Sequence, residues 1–128
     1  MSERAAAPPA RRIVLCADDY GISPAVDVGI RDLIVRGRLN ATSVLVLAPT
    51  FGPAEAKALA ALNSGGTRVA IGLHMALTAP FVPATARFSP RANGGFLSLG
   101  ATLLGACLHR FRHDLLVDEI AAQLRLFV

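Results

Sequence analysis

The sequence predicts an α/β fold built on a parallel sheet. Three short apolar runs, each typical of a buried strand, alternate with two segments whose apolar residues recur at helical spacing. Proline stands where each of these two helical segments begins, at the position where its missing N–H has no cost. Strand, helix, strand, helix, strand is the order of right-handed crossover units, and a chain of 128 residues has room for one domain.

The three strands are predicted from continuous apolar runs at residues 13–17, 43–47 and 69–73. The first run contains only apolar and small side chains, so we expect a buried parallel strand that is covered on both faces. The third run leads directly into His74.

Capping residues and apolar spacing predict the two helices between the strands. Ser23 is suited to cap the first helix and Gly37 to end it. The predicted inward positions of this helix are Val26, Ile30, Leu33 and Ile34. The second helix is predicted to begin at Pro53, with Ala56, Leu59, Ala60 and Leu62 inward.

The pattern changes after the third strand. Residues 79–95 contain three prolines and two glycines and predict a long loop, typical of a functional lid or a mobile segment. Residues 98–111 predict a weakly marked helix, and a clearer helix is predicted from Asp114. Its apolar stripe is Leu116, Ile120, Leu124 and Phe127. Residues 1–11 are predicted to be a disordered tail, leaving 12–128 as the domain.

Composition excludes several classes of function. The net charge of +4 comes from scattered arginines, and only 5% of the residues are aromatic, so no nucleic-acid surface is predicted. The longest nearly apolar stretch, residues 97–108, is shorter than the roughly 20 residues of a membrane-spanning helix. Cys16 and Cys107 lie in apolar surroundings and are predicted to be buried free thiols, which favours a reducing, cytoplasmic location.

Acidic and imidazole side chains follow two of the predicted strands. Asp18 and Asp19 come directly after the first strand, and His74 follows the third. Because parallel strands open at the same edge of a sheet, Asp19 and His74 are able to converge there on a divalent cation. Asp18 is then a candidate general base on a metal-bound water. The alternative is that one aspartate caps a turn, the other is solvated, and His74 is a hydrogen-bonded loop residue.

Two further histidines are weaker candidates. His109 and His113 have the i, i+4 spacing that would place them on one helix face. No glutamate follows His109, so the zinc-protease signature is absent. The flanking Arg110 and Arg112 favour a solvated basic face instead.

Three segments together resemble a known family. The opening RRIVLCADDYGISPAVDVGI, the strand NATSV at residues 40–44 and the segment IGLHMALT at residues 71–78 resemble the YdjC/ChbG carbohydrate deacetylases in order and spacing. The resemblance covers residues 12–128. The closing segment RFRHDLLVDEIAAQLRLF is most similar to the hopanoid-associated HpnK subgroup. Met75 and Ala76 stand where many members have Leu and Asn.

The resemblance implies a partial (β/α) barrel-like fold and hydrolysis of an N-acetyl group from a sugar or glycolipid. It assigns Asp18 as the catalytic base, and Asp19 and His74 as ligands of a divalent metal, Mg or Zn. The third ligand and the general acid would come from a later histidine-containing segment that this sequence does not contain, so we expect an N-terminal portion of such a domain. Exposed sheet edges would then favour association, including homo-oligomers. The alternative is a non-catalytic α/β fragment that binds sugar or pairs with a complementary chain.

Overall fold

Seven helices and strands follow one another in the computed structural model, which describes residues 13–64 and 68–128. The predicted tail at residues 1–11 lies outside the described residues. The elements are β1 (Cys16–Tyr20), α1 (Pro24–Val35), β2 (Ala41–Val44), α2 (Pro53–Ala61), β3 (Ala70–Leu73), α3 (Leu99–Cys107) and α4 (His113–Phe127). None of the helices in these two ranges is long and apolar enough to cross a membrane.

The strands form one parallel sheet in the order β1-β2-β3. This confirms the predicted α/β class with a parallel sheet. The apolar core lies on the face of the sheet that carries Tyr20 and Val44, where α1 and α2 contribute Ile34 and Leu59. Side chains alternate along a strand, so Ser43 faces the other way from Val44.

The first strand begins later than predicted. The backbone of residues 13–15 is held by Asn40, whose side chain accepts from the Leu15 N–H and donates to the Ile13 carbonyl. Ile13 and Val14 are 73% and 77% exposed, so the expected burial on both faces is wrong. Since β1 is an edge strand, nothing among the described residues covers them. Because β1 begins at Cys16 and extends to Tyr20, Asp18 and Asp19 lie within the strand rather than after it.

Helix α1 begins and ends as predicted. Ser23 Oγ accepts a hydrogen bond from the Val26 N–H, and Gly37 has a φ of 66° directly after the helix. Ile30 and Ile34 are buried, but Val26 and Leu33 are 39% and 42% exposed, and the third buried residue is Asp27. The buried stripe of α1 is therefore narrower than predicted. In α2, similarly, Leu59 is buried while Ala56 and Ala60 are exposed.

Helix α4 turns a different face inward from the predicted one. Ile120 and Leu124 are 40% and 49% exposed, whereas Leu115, Glu119 and Gln123 are buried. This face turns inward because the Glu119 and Gln123 side chains accept hydrogen bonds from backbone N–H groups of the chain after β3. Apolar periodicity alone cannot identify a helix face that is selected by such bonds.

The expectation that both cysteines are buried is wrong, and the weaker possibility of a shared histidine face is not realised. Cys16 and Cys107 are free but exposed, because Cys16 lies on the edge strand and Cys107 at the end of α3. His109 lies in a turn with φ 53°, and His113 begins α4. The two histidines therefore do not share a helix face.

The long loop at residues 79–95 has no helix or strand, as predicted; it carries one isolated bridge between Ala92 and Gly95. Phe88 is 2% exposed and packs edge-to-face on Phe96, with ring centroids 5.0 Å apart. Aromatic burial thus organises this loop against the α3–α4 region, where Phe111 also contacts Phe88.

A polar cluster joins β1 to both crossover helices. The Tyr20 hydroxyl, at the end of β1, donates to Glu55 Oε2 at 2.8 Å and accepts from Arg31. Arg31 also forms an ion pair with Glu55. Burial, and then the hydrogen bond to Glu55, raise the pKa of Tyr20 to about 12, although Arg31 acts in the opposite direction. The cluster fixes α1 and α2 against the strand that carries the acidic pair.

The raised pKa of Tyr20 predicts a loss of stability at alkaline pH. The unfolded chain releases the phenol proton near pH 10, whereas the native chain retains it up to about pH 12. The stabilising contribution is therefore complete below about pH 10 and is lost as the pH rises towards 12. Urea unfolding across this range should show the loss in the wild type, and Tyr20→Phe should lack that component.

Tyr20 is the only tyrosine in the sequence, so its ionisation can be followed directly by ultraviolet absorbance. A midpoint at the ordinary value near pH 10 would contradict this assignment.

Candidate active site

The acidic pair and His74 meet on one side of the sheet. Asp19 Oδ1 lies 3.3 Å from His74 Nδ1, although Asp19 belongs to one edge strand and His74 directly follows the other. Ser43, from the central strand β2, completes the contact: its hydroxyl donates to Asp18 Oδ1 at 2.6 Å and lies 3.1 Å from His74 Nδ1. All three strands thus contribute to one polar cluster.

Local backbone geometry explains how two consecutive aspartates reach the same cluster. The β1–β2 register shifts between Ala17 and Tyr20, and Asp19 has a φ of 66°. Two adjacent residues of a regular strand point to opposite faces. The irregularity removes that restriction, and aspartate is one of the few residues other than glycine that tolerates the left-handed region.

The turn after the pair requires glycine. Gly21 has a φ of 101°, and a Cβ atom there would lie 2.9 Å from Phe51 Cβ and 3.1 Å from the Leu45 carbonyl oxygen. The Gly21 N–H donates to Asp27 Oδ1 at 2.6 Å. Asp27 is fully buried, and its Oδ2 has no hydrogen-bond partner within the described part of the chain. This explains the glycine that closely follows the acidic pair.

The electrostatics favour an ionised Asp18. The hydrogen bond from Ser43 lowers the pKa of Asp18, as do the Cys16 thiol and the charge of His74 to a smaller extent. Partial burial and then the contact with Asp18 Oδ1, at 3.6 Å, raise the pKa of the Cys16 thiol. Asp18 is therefore a carboxylate at neutral pH, and Cys16 remains a neutral thiol.

The cluster has donors that suit a divalent cation. A carboxylate oxygen and an imidazole nitrogen 3.3 Å apart can both contact one ion, because typical zinc–ligand distances are about 2.0–2.2 Å. Within residues 13–64 and 68–128, however, no three His, Cys, Asp or Glu side chains form a group that could hold a metal. Asp19 and His74 therefore fit two positions of a coordination shell and leave the others to water, substrate or further protein groups.

The same contacts do not fit a serine hydrolase. A catalytic triad uses one imidazole nitrogen towards the serine and the other towards the carboxylate. Here Ser43 and Asp19 both approach Nδ1 of His74. Ser43 is better described as the hydroxyl that links Asp18 to His74.

Ser43 is the site residue that the sequence interpretation missed, since it had been assigned only to the second strand. Its signal was a hydroxyl side chain near the end of the central strand, directly before the apolar run that begins at Val44.

Comparison with known proteins places the chain in a family. The model of the family described as YdjC-like protein matches residues 12–128. The chain belongs to the YdjC-like family. The predicted relationship is thereby confirmed at the level of the family, on the residues that carry the acidic pair and His74.

Two relatives of the YdjC-like chain come from Enterococcus faecalis V583. A carbohydrate deacetylase is 32% identical over 68 residues, which is 53% of this chain and 24% of that protein. A crystal structure described as that of a cellobiose-phosphate cleavage protein superposes with a TM-score of 0.69 and 25% identity, covering 89% of this chain and 42% of the other. The chain thus spans less than half the length of the solved relative.

Removal of the Ser43 hydroxyl should raise the pKa of Asp18. Ser43→Ala deletes the hydrogen bond that contributes most to lowering it, so the Asp18 carboxyl should titrate at a higher pH. Carbon-detected NMR of the aspartate carboxyl groups measures this. Ser64→Ala is the matched control, because Ser64 Oγ donates to the Ala61 carbonyl at the end of α2. An unchanged Asp18 titration in Ser43→Ala would contradict the assigned contact.

Proposed function

We propose that this YdjC-like chain carries the water-activating part of a carbohydrate deacetylase, which hydrolyses the N-acetyl group of an N-acetylated sugar or glycolipid. The observation that carries the proposal is the meeting of Asp18, Asp19 and His74 around Ser43. Family membership and the carbohydrate deacetylase relative support the reaction class.

Asp18 is the group we assign to proton transfer. It is a carboxylate at neutral pH and is therefore able to accept a proton. Both the Ser43 hydroxyl and the Cys16 thiol bond to Oδ1, which leaves Oδ2 as the oxygen for the attacking water. As the Asp18 carboxylate takes the water proton, the oxygen attacks the acetamide carbonyl carbon and forms a tetrahedral oxyanion. Collapse then breaks the C–N bond as the proton held by Asp18 passes to the nitrogen, and the products are the free amine and acetic acid, which ionises to acetate.

Asp19 and His74 are the groups we assign to a divalent cation, Mg or Zn. A bound cation would polarise the acetamide carbonyl and lower the pKa of the attacking water. The protein holds these two donors by distinct means: the left-handed backbone places Asp19, and the hydrogen bond from the His74 N–H to the Val44 carbonyl places His74.

The finer parts of the proposal rest on resemblance. A barrel-like arrangement would place further strands beside β1 and β3, each of which pairs on one side only within the described sheet. The likeness of the closing segment to the HpnK subgroup suggests a glycolipid acetamide as substrate.

Cation binding should depend on Asp19 and His74. Titration of Mn²⁺ should broaden the NMR signals of both residues selectively, because the ion is paramagnetic. Asp19→Asn and His74→Ala should each weaken binding by at least tenfold, since each removes one of two protein ligands. Asp32→Asn is the matched control: this exposed carboxylate pairs with Arg36 on the surface of α1. Equal weakening by all three variants would point to non-specific binding and against a shared site.

Acetate release should depend on Asp18. N-acetylated oligosaccharides are incubated with divalent metal and the chain, alone and extended to the length of its curated relatives. Asp18→Asn should lower the rate by roughly 10²–10⁴-fold, the range for loss of a general base, with metal affinity retained. Again Asp32→Asn serves as control. Metal-independent sugar binding without acetate release in either form would favour the non-catalytic alternative.

A further inference from the structure

Gln123 of α4 holds the chain just beyond His74. Its Oε1 accepts from the Ala76 N–H at 3.1 Å, and its Nε2 donates to the Ala76 carbonyl at 2.8 Å. One side-chain amide thus satisfies both backbone groups of a residue that has left the sheet, as a neighbouring strand would. Gln123 is fully buried and Ala76 is 6% exposed. Unmet backbone groups in this position would be costly, so the bonds fix the path of the segment.

Glu119, one helical turn earlier, fixes the orientation of the Gln123 amide. Its Oε1 accepts from Gln123 Nε2 at 2.9 Å. An ionised carboxylate accepts hydrogen bonds and cannot donate them, so the amide NH₂ group must face Glu119 and the amide oxygen must face the Ala76 N–H. Glu119 also accepts from the N–H groups of Ala84 and Thr85 and from the Thr85 hydroxyl.

The charge of Glu119 is maintained by these bonds. Burial acts to raise the pKa of Glu119, but the donors from Gln123, Ala84 and Thr85 outweigh it and lower the pKa. Two buried polar residues on one helix face are unfavourable unless fully bonded. These bonds connect α4 to two stretches of chain after His74, one at Ala76 and one at Ala84 and Thr85. Hydrogen bonds are directional, so they fix the backbone of these stretches more specifically than apolar contacts would.

We infer that Gln123 is a positioning residue for His74, with Glu119 setting the direction of its amide. The His74 backbone is then held on both sides: its N–H donates to the Val44 carbonyl at 2.8 Å, and Ala76, two residues later, is held by Gln123. With the backbone fixed at both points, the imidazole keeps its place 3.3 Å from Asp19 Oδ1. The inference deepens the proposed function, on which its role in catalysis rests, but the geometry is testable without a metal.

The test compares Gln123→Met with Ile34→Ala in the full chain. Methionine has similar size and no amide, so it removes both bonds to Ala76. Ile34 belongs to α1 and lies in the apolar core, so its truncation should lower stability without removing either bond to Ala76. Imidazole signals are read by ¹H–¹⁵N NMR, since the sequence contains only three histidines, and urea unfolding gives the stability of each variant.

We expect Gln123→Met to shift and broaden the His74 ring signals while those of His109 and His113 stay in place, and Mn²⁺ affinity to fall by about 10–100-fold. Ile34→Ala should leave all three rings unshifted.

Unshifted His74 signals in a folded Gln123→Met, with loss of stability alone, would overturn the inference. Should that variant not fold, Glu119→Gln is read instead: it removes the carboxylate that orients the amide, and unshifted His74 signals there overturn the inference equally. If the wild type binds no Mn²⁺ but Gln123→Met still shifts the His74 ring signals, the proposed metal site is contradicted and the positioning role stands.

Discussion

The hydrogen bond from Ser43 to Asp18 is the contact on which the rest of the site depends. Ser43 lies on the central strand, so its hydroxyl can join a side chain of β1 to the imidazole that follows β3. A single hydroxyl lowers the pKa of Asp18 and stands beside His74 Nδ1. Without it, Asp19 would still lie 3.3 Å from His74 Nδ1, but Asp18 would lose the hydrogen bond that joins it to the other two groups. The parallel order of the strands matters to function because it delivers all three groups to the same side.

The fold supports this cluster through two layers of different chemistry. Beneath the sheet, apolar side chains and the Tyr20–Arg31–Glu55 cluster fix the crossover helices. Beyond its carboxyl edge, buried polar residues of α4 bind the loops by their backbone groups. The first layer contains the apolar core around Tyr20 and Val44, and the second defines the paths of chain that no strand holds. The site lies where the two layers meet.

Much of this arrangement could be predicted from the sequence, for identifiable reasons. The α/β class, the cap at Ser23 and the closeness of Asp19 to His74 follow from patterns that act over a few residues or from the geometry of parallel strands. The face of α4 could not be predicted, because Glu119 and Gln123 are buried by bonds to distant backbone groups. The exposure of Ile13 and Cys16 could not be predicted for a related reason. Their neighbours in sequence are apolar, but at an edge strand no other part of the described structure packs over them.

Position 19 has to meet two independent requirements, a left-handed backbone and a negatively charged side chain. Most L-residues lose about 1–2 kcal/mol in that conformation, and only glycine, asparagine and aspartate adopt it readily. Of these three, only aspartate also provides a negatively charged ligand. The set of residues tolerated at position 19 should thus be narrower than at Asp18, where the main chain makes no such selection. Any attempt to re-engineer the proposed cation site by exchange of Asp19 to glutamate would meet resistance from the main chain before coordination chemistry came into play.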